Sequence, residues 1–322
     1  MDIEQYLPQN QEAIDILCEG IYKYKDEQDF RGSIQKLKQA LELVPGFALA
    51  YHHLGNCYLL LPNVAKALHS FQQAIKHGLD IADEYHGCGI ACYIMNNFAQ
   101  AIDYFSTAIE MNPELKNAYY DRANAYLGLG DIDSALKDYS KTIEFGGDPE
   151  EAYFNRGLIY MDKGEYEKAL ADLNEARTYN TSSWKILYNR AHCYHRLGRM
   201  EKAINDYKKV VFLNPFFAEA YYCLGTALYE IQDYEGAIHN QTQVVTIEPN
   251  QPQGYFSRGL AYLTTGYADE AIRDLQTAAQ MTPDDAETYF LLSEAYNIKG
   301  DTPKASLLLE KAKALGFIEP VL

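Results

Sequence analysis

The chain is 322 residues long, 48% apolar and 23% charged, which is enough apolar material for an extended core. Its 45 acidic against 28 basic side chains give a net charge of −17, which disfavours nucleic-acid phosphate and anionic lipid as partners. No apolar run reaches the length of a membrane span, and the first residues lack the basic and apolar regions of a secretory signal, so a cytoplasmic protein is expected.

In chain order, residues 1–13 form a short polar lead-in, and from Ile14 the chain repeats every 34 residues without insertion. Nine units follow: 14–47, 48–81, 82–115, 116–149, 150–183, 184–217, 218–251, 252–285 and 286–319, with 320–322 as a tail. The unit at 150–183 shows the pattern best. Two amphipathic stretches meet at Gly164-Glu165, with Gly157, Ala169 and Ala176 marking the closest helix contacts. Counted within a unit, position 8 is small: Gly55, Gly89, Ala123, Gly157, Ala191, Gly225, Gly259 and Ser293. Position 20 is Ala in eight units, from Ala67 to Ala305, and position 4 is Tyr in seven, from Tyr51 to Tyr289. Position 32 carries Pro45, Pro113, Pro215, Pro249 and Pro283, where proline ends the second helix. A helix pair this short cannot bury its apolar face alone, so the units are expected to stack into one all-α solenoid. Unit 1 departs most from the pattern, with Leu17 at position 4 and Ser33 at position 20, as a terminal repeat facing water should. The end of the chain, from Leu315 through Phe317 and Ile318 to Leu322, is apolar; it either folds back over the last helix or self-associates.

The six cysteines form no C-x-x-C pair and sit mostly at packing positions, so they read as small buried hydrophobes in a reducing compartment. Position 7 is Arg122, Arg156, Arg190 and Arg258 in four units, and position 23 of those same units is Asp138, Asp172, Asp206 and Asp274. Units without the Arg lack the Asp, so the two are expected to meet within each unit as a fork-to-carboxylate pair. The alternative is that these arginines grip an acidic ligand.

An aromatic-x2-L-G-x2-Y pattern, then Ala, a bulky residue, Ala and Pro, on a 34-residue period resembles the tetratricopeptide repeat (TPR) family along nearly the whole chain. The resemblance implies a right-handed superhelix of nine helix-turn-helix units whose first helices line a concave groove at positions 2, 5, 6, 9, 12 and 13. In units 1–3 those positions bring Cys18, His52 and His86 into a ladder at position 5, weak candidates for a metal. Units 4–6 offer Tyr120, Asn124, Phe154, Asn155, Lys185, Tyr188, Asn189, His192 and Arg196, a mix of amides and rings suited to an extended peptide. Asn124, Asn155 and Lys185 match the carboxylate clamp of chaperone-binding members, but Tyr120 and Asn189 replace its other two cations, which leaves a terminal carboxylate poorly neutralised. Asn155 and Asn189 also resemble a short form of the asparagine ladder in the repeats of O-GlcNAc transferase.

Units 7–9 place Tyr222, Phe256 and Phe290 at position 5 among Glu219, Glu230, Glu287 and Glu294. Acids outnumber bases along the implied groove, which favours a partner carrying basic and apolar residues. No G-x-S-x-G, H-E-x-x-H, P-loop or G-x-G-x-x-G motif occurs, and every segment already belongs to a repeat. The expectation is a protein-binding scaffold or adaptor with no cofactor and no catalytic residues. Alternatives are a co-chaperone taking a C-terminal tail, a metal- or small-ligand-responsive regulator, and a self-assembling structural protein joined through its C-terminal end.

Overall fold

The computed structural model describes residues 6–318, so the tail at 320–322 lies outside the described residues. Eighteen α-helices and no strand occur among them. The chain divides into two compact units, Met1–Ile159 and Tyr160–Leu322. The first holds α1 (Gln11–Lys25), α2 (Phe30–Leu43), α3 (Ala48–Leu60), α4 (Val64–Lys76), α5 (Ala82–Ile94), α6 (Phe98–Met111), α7 (Lys116–Leu129) and α8 (Ile132–Glu144), and the division falls within α9 (Pro149–Asp162). The second holds α10 (Tyr166–Tyr179), α11 (Trp184–Arg196), α12 (Met200–Leu213), α13 (Ala218–Glu230), α14 (Tyr234–Ile247), α15 (Pro252–Thr264), α16 (Ala268–Met281), α17 (Ala286–Ile298) and α18 (Thr302–Ala314). Within each unit a first helix packs on the second helix of its own repeat, and that second helix packs on the next repeat, as α3 does on α4 and α4 on α5. Helix α1 starts three residues before the first repeat, inside the lead-in, because Asn10 caps it by accepting from the Ala13 N–H at 3.1 Å.

Packing follows from side-chain size at two positions. A Cβ on Gly55 would lie 2.5 Å from the ring of Phe71, and one on Gly89 would lie 2.5 Å from the ring of Phe105. Both rings, at position 24 of their repeats, are buried, so the glycine at position 8 is the space the ring occupies. The position-20 alanines are buried in all eight repeats that carry them, which lets the two helices approach. The tyrosine at position 4 reaches back to the preceding repeat: Tyr51, Tyr119 and Tyr255 donate to the carbonyls of Pro45, Pro113 and Pro249 at 3.1–3.2 Å. The turn between helices needs a left-handed residue at position 15, filled by Gly130 and Gly198 among others and by Asn96 and Gln232 elsewhere.

The arginines at position 7 do more than pair within a repeat. Arg190 donates through Nε and Nη2 to both oxygens of Asp206, at 2.7 and 2.9 Å, with the pair buried. Arg122 holds Asp138 and Arg258 holds Asp274 in the same two-point geometry. The remaining Nη1 donates to the preceding repeat, to Ser106, Ser140, Asn174 and Thr242 from Arg122, Arg156, Arg190 and Arg258, at 2.8–3.2 Å. Arg122, Arg190 and Arg258 therefore each tie two successive second helices together. The sequence held a signal for this: position 25 is Ser, Ser, Asn or Thr before an Arg-bearing repeat and Lys38, Gln72, Lys208 or Gln276 before the others.

At the C-terminal end, Phe317 stacks on Phe290 with ring centroids 4.2 Å apart and planes 16° from parallel. The chain thus folds back over α17, although Ile318 beyond it stays 85% exposed. Phe290, expected on the binding face, is instead taken up by this contact.

The Arg190→Ala substitution strands the buried Asp206 carboxylate, and a loss of about 3–5 kcal/mol is expected in urea unfolding. The double substitution Arg190→Met/Asp206→Leu should recover most of that loss. A double variant as unstable as the single one would contradict this account of the pair.

Candidate functional site

The face presented by the first helices is built from positions 5, 6, 12 and 13, and its polar groups are largely bonded to one another across repeats. In the first unit, His86 Nε2 meets Asp121 at 2.7 Å, and Asn155 donates to the Tyr120 hydroxyl at 3.1 Å. In the second, Tyr188 meets the Cys223 thiol at 3.8 Å, His195 meets Glu230 at 2.9 Å, and Tyr229 meets Thr264 at 2.9 Å. In each case position 5 or 12 of one repeat contacts position 6 or 13 of the next. Reading positions one repeat at a time does not reveal this, because the partners are about 35 residues apart.

Several residues expected to meet a ligand are taken up by other contacts, mostly within their own repeat. Asn124 accepts from the buried Tyr139 hydroxyl at 2.5 Å. Asn189 donates to the carbonyl of Lys185, one turn back on its own helix, at 2.9 Å. Tyr188 packs edge-on to Phe217 at 5.0 Å, and Arg196 lies over the Tyr166 ring at 5.5 Å. His192 is half-buried, and its Nδ1 has no partner. Lys185 lies over the Trp184 ring at 5.9 Å and Phe154 is half-buried. Tyr120, Asn124, Phe154 and Asn155 belong to the first compact unit, and Lys185, Tyr188, Asn189, His192 and Arg196 to the second.

The proposed metal ladder does not form. No group of three His, Cys, Asp or Glu side chains able to hold a metal occurs among the described residues. His52 instead bonds the fully buried Glu84 through Nδ1 and Asn56 through Nε2, while Cys18 is exposed. Glu84 stands at position 3, where most repeats carry Ala50, Ala118, Ala152 or another small residue. Burial raises its pKa, the His52 contact opposes the rise, and its second oxygen has no partner. Next to it His53 is half-buried with an unpartnered Nδ1, and burial, with His52 and Lys25 adding repulsion, pushes its pKa down to about 3. Four of the six cysteines are buried, and burial pushes the Cys88 and Cys193 thiols up to about 12, so they are inert packing groups.

One cavity of about 350 Å³ lies in the first unit between Tyr6, Phe47 and His77, and three lie side by side in the second. Three neighbouring cavities of about 320, 230 and 200 Å³ all touch Tyr222. The first runs between Glu219 and Glu248, the second past Phe256 to Asp285 and Glu287, and the third between Phe256, Tyr229 and Gln241. None of the three is lined by Lys or Arg. The position-5 tie has no counterpart at Tyr222, whose neighbour in the ladder is Ser257, while Tyr229 still meets Thr264 across the same two repeats.

Tetratricopeptide-repeat family models match residues 22–84, 95–152, 120–183, 184–217, 218–251 and 256–316. No curated protein matches the chain. Among solved structures it is similar to a MamA fragment from Desulfovibrio magneticus RS-1, at 26% identity and a TM-score of 0.51, over 52% of this chain and 96% of that one. It is similar in fold to YrrB, a TPR protein with an unusual peptide-binding site, at 20% identity and a TM-score of 0.53, over 57% of this chain and 95% of that one. The C-terminal part of a TPR repeat-containing protein from Cytophaga hutchinsonii aligns at 22% identity with a TM-score of 0.59, over 71% and 94% of the two chains.

The depressed His53 pKa fixes a sign. Unfolded, this histidine takes a proton below its ordinary pKa of about 6.5; folded, it does so only near 3, so its contribution to stability is present above 6.5 and is lost as pH falls from there towards 3. Unfolding free energy should drop by about 2 kcal/mol between pH 7 and 5 through this group. In His53→Phe the drop should shrink by that amount, because Glu84, whose raised pKa acts in the opposite direction, is left in place. Parallel pH profiles for the two proteins would refute this assignment.

Proposed function

The chain belongs to the tetratricopeptide repeat family, and from that premise we propose that it is an interaction scaffold whose first-helix face in repeats 7–9 holds a peptide segment of a partner protein. The TPR fold supports a protein–protein interaction scaffold. The peptide site itself rests on one observation: contiguous cavities meet at Tyr222 and Phe256, with four carboxylates and no cation on their walls. Apolar rings in a concave, acid-rimmed site suit a segment with basic residues flanking an apolar one. A half-buried ring such as Tyr222 or Phe256 at the centre of a site is the usual source of binding energy, and the rim acids add rate and selectivity.

The repeat 4–6 residues serve as a secondary surface in this reading. Lys185 and Arg196 are exposed there, while Tyr120, Asn124, Asn155 and Asn189 spend hydrogen bonds within the protein. Tail capture by a carboxylate clamp is disfavoured for the same reason, since its amides are engaged and two of its cations are missing. The protein acts by binding rather than catalysis, and the buried, unpaired thiols fit a reducing compartment such as the cytosol. Among the described residues no helix is long and apolar enough to cross a membrane.

Selection of a random peptide display library on the full chain should enrich segments with Lys or Arg around an aromatic or aliphatic residue. Tyr222→Ala and Phe256→Ala should each weaken those peptides by at least about tenfold, the scale of a lost anchor residue. Affinity should also fall as salt is raised. If no peptide is enriched, or if enriched peptides ignore both substitutions, the proposed site is wrong.

A further inference from the structure

One repeat carries an outer edge unlike the others. Position 29 is Glu, Lys, Thr or Gln in repeats 1–5, 7 and 8, and Phe212 in repeat 6. Position 33 is Gly, Asp, Glu, Ser or Asn in those same repeats, and Phe216 in repeat 6. Both positions are exposed in every one of these repeats, so neither ring stands where a core residue is needed, and each is 83% exposed. Repeat 6 is also the one repeat whose positions 25 and 26 are both basic, Lys208 and Lys209.

The backbone sets these side chains at one edge of the repeat. Lys208 and Lys209 precede Phe212 by four and three residues on α12, which places them on the same helix face. Phe216 lies in the turn that follows. Its neighbour Phe217 turns inward onto Trp184 and Tyr188, with ring centroids 4.9 and 5.0 Å apart, and leaves Phe216 in water. Both lysines are exposed. Lys209 comes only within 3.9 Å of an Asp206 oxygen that Arg190 already holds at 2.9 Å, so its charge remains largely uncompensated. Repeat 6 as a whole holds seven basic and two acidic side chains, a net charge of +5 in a chain of −17, between repeats of −3 and −5.

We propose that this outer edge of repeat 6 is a second interaction surface, which takes a short acidic segment of a partner protein carrying apolar side chains. The rings supply the contact area that aromatic residues give at interfaces, and the lysines select carboxylates beside them. Attraction for acids is confined to a single repeat. An extended anionic surface such as a lipid bilayer would also face the acids of repeats 5 and 7, whereas a short segment meets repeat 6 alone. The edge belongs to a second helix and its turn, apart from the first-helix face that carries Tyr222 and Phe256. It prefers the opposite charge, so one chain can hold a basic and an acidic segment together.

The test repeats the random peptide display selection on the full chain and on Phe212→Thr/Phe216→Asn, which supplies the residue types of repeat 7, Thr246 and Asn250. That variant should fold with an unchanged melting temperature, because both rings are exposed. The wild type should enrich a class of peptides with Asp or Glu around aromatic or aliphatic residues, and the variant should bind them at least about tenfold more weakly. Lys208→Thr/Lys209→Gln, again the residue types of repeat 7, should weaken them about fivefold and flatten their salt dependence. Tyr222→Ala should leave them unaffected, which separates this surface from the site in repeats 7–9. The proposal is overturned if no acidic class is enriched, or if that class binds the double phenylalanine variant as well as the wild type. It is also overturned if light scattering shows a wild-type dimer that the variant loses, since a second copy then covers the edge. Binding of the wild type but not the variant to phosphatidylcholine–phosphatidylserine vesicles, with no acidic peptide enriched, overturns it in favour of a membrane surface.

Discussion

The contact between a small residue at position 8 and a bulky one at position 24 sets how close the two helices of a repeat can come. Gly55 over Phe71 and Gly89 over Phe105 show it at its tightest, because each ring occupies the space a Cβ would need. With that distance set, the alanine at position 20 can be buried and the second helix can offer its other side to the next repeat. A substitution at position 24 is therefore felt as volume rather than as surface chemistry.

Polar groups tie the repeats to their neighbours on top of this apolar frame. At position 7, Arg122, Arg190 and Arg258 hold an aspartate in their own repeat and reach a hydroxyl or amide in the one before. Burying a paired charge contributes little net stability, but it penalises any other spacing of the second helices, where the fork would lose a partner. On the opposite face the bonds from position 5 to 6 and from 12 to 13 tie first helix to first helix. A residue type suited to binding a ligand is equally suited to binding its neighbour, and Asn124 and Asn155 are used in that second way. Where the chain places Tyr222 before Ser257 only the position-12 tie, Tyr229 to Thr264, joins the two first helices, and cavities lie beside Tyr222.

Much of this was legible in the residues alone. The 34-residue register, the helix pairs and the arginine–aspartate spacing come from local patterns and from comparing copies within one chain. The turn residues were legible at Gly164 but not at Asn96 or Gln232, where the tertiary frame holds a non-glycine residue in the left-handed region. The third contact of each arginine was written in position 25 as a choice of Ser, Asn or Thr, yet it spans two repeats and becomes visible only when successive units are compared in pairs. Glu84 is similar: its departure from alanine at position 3 is visible in the sequence, but its bond to His52 is not.

The sequence by itself determined the all-helical class, the repeat length and the residues that face the core, because 3.6-residue periodicity and side-chain size act within a single unit. Only the tertiary structure decided which face residues remain free. Phe290 is covered by Phe317, Asn124 is engaged by Tyr139, His52, His86 and His195 are bound to carboxylates, and Tyr222 and Phe256 border open cavities. The physical reason is that hydrogen bonding and ring stacking are competitive. Whether a side chain is available depends on what the neighbouring repeat puts within reach, and that separation is fixed by packing rather than by the residue's own identity.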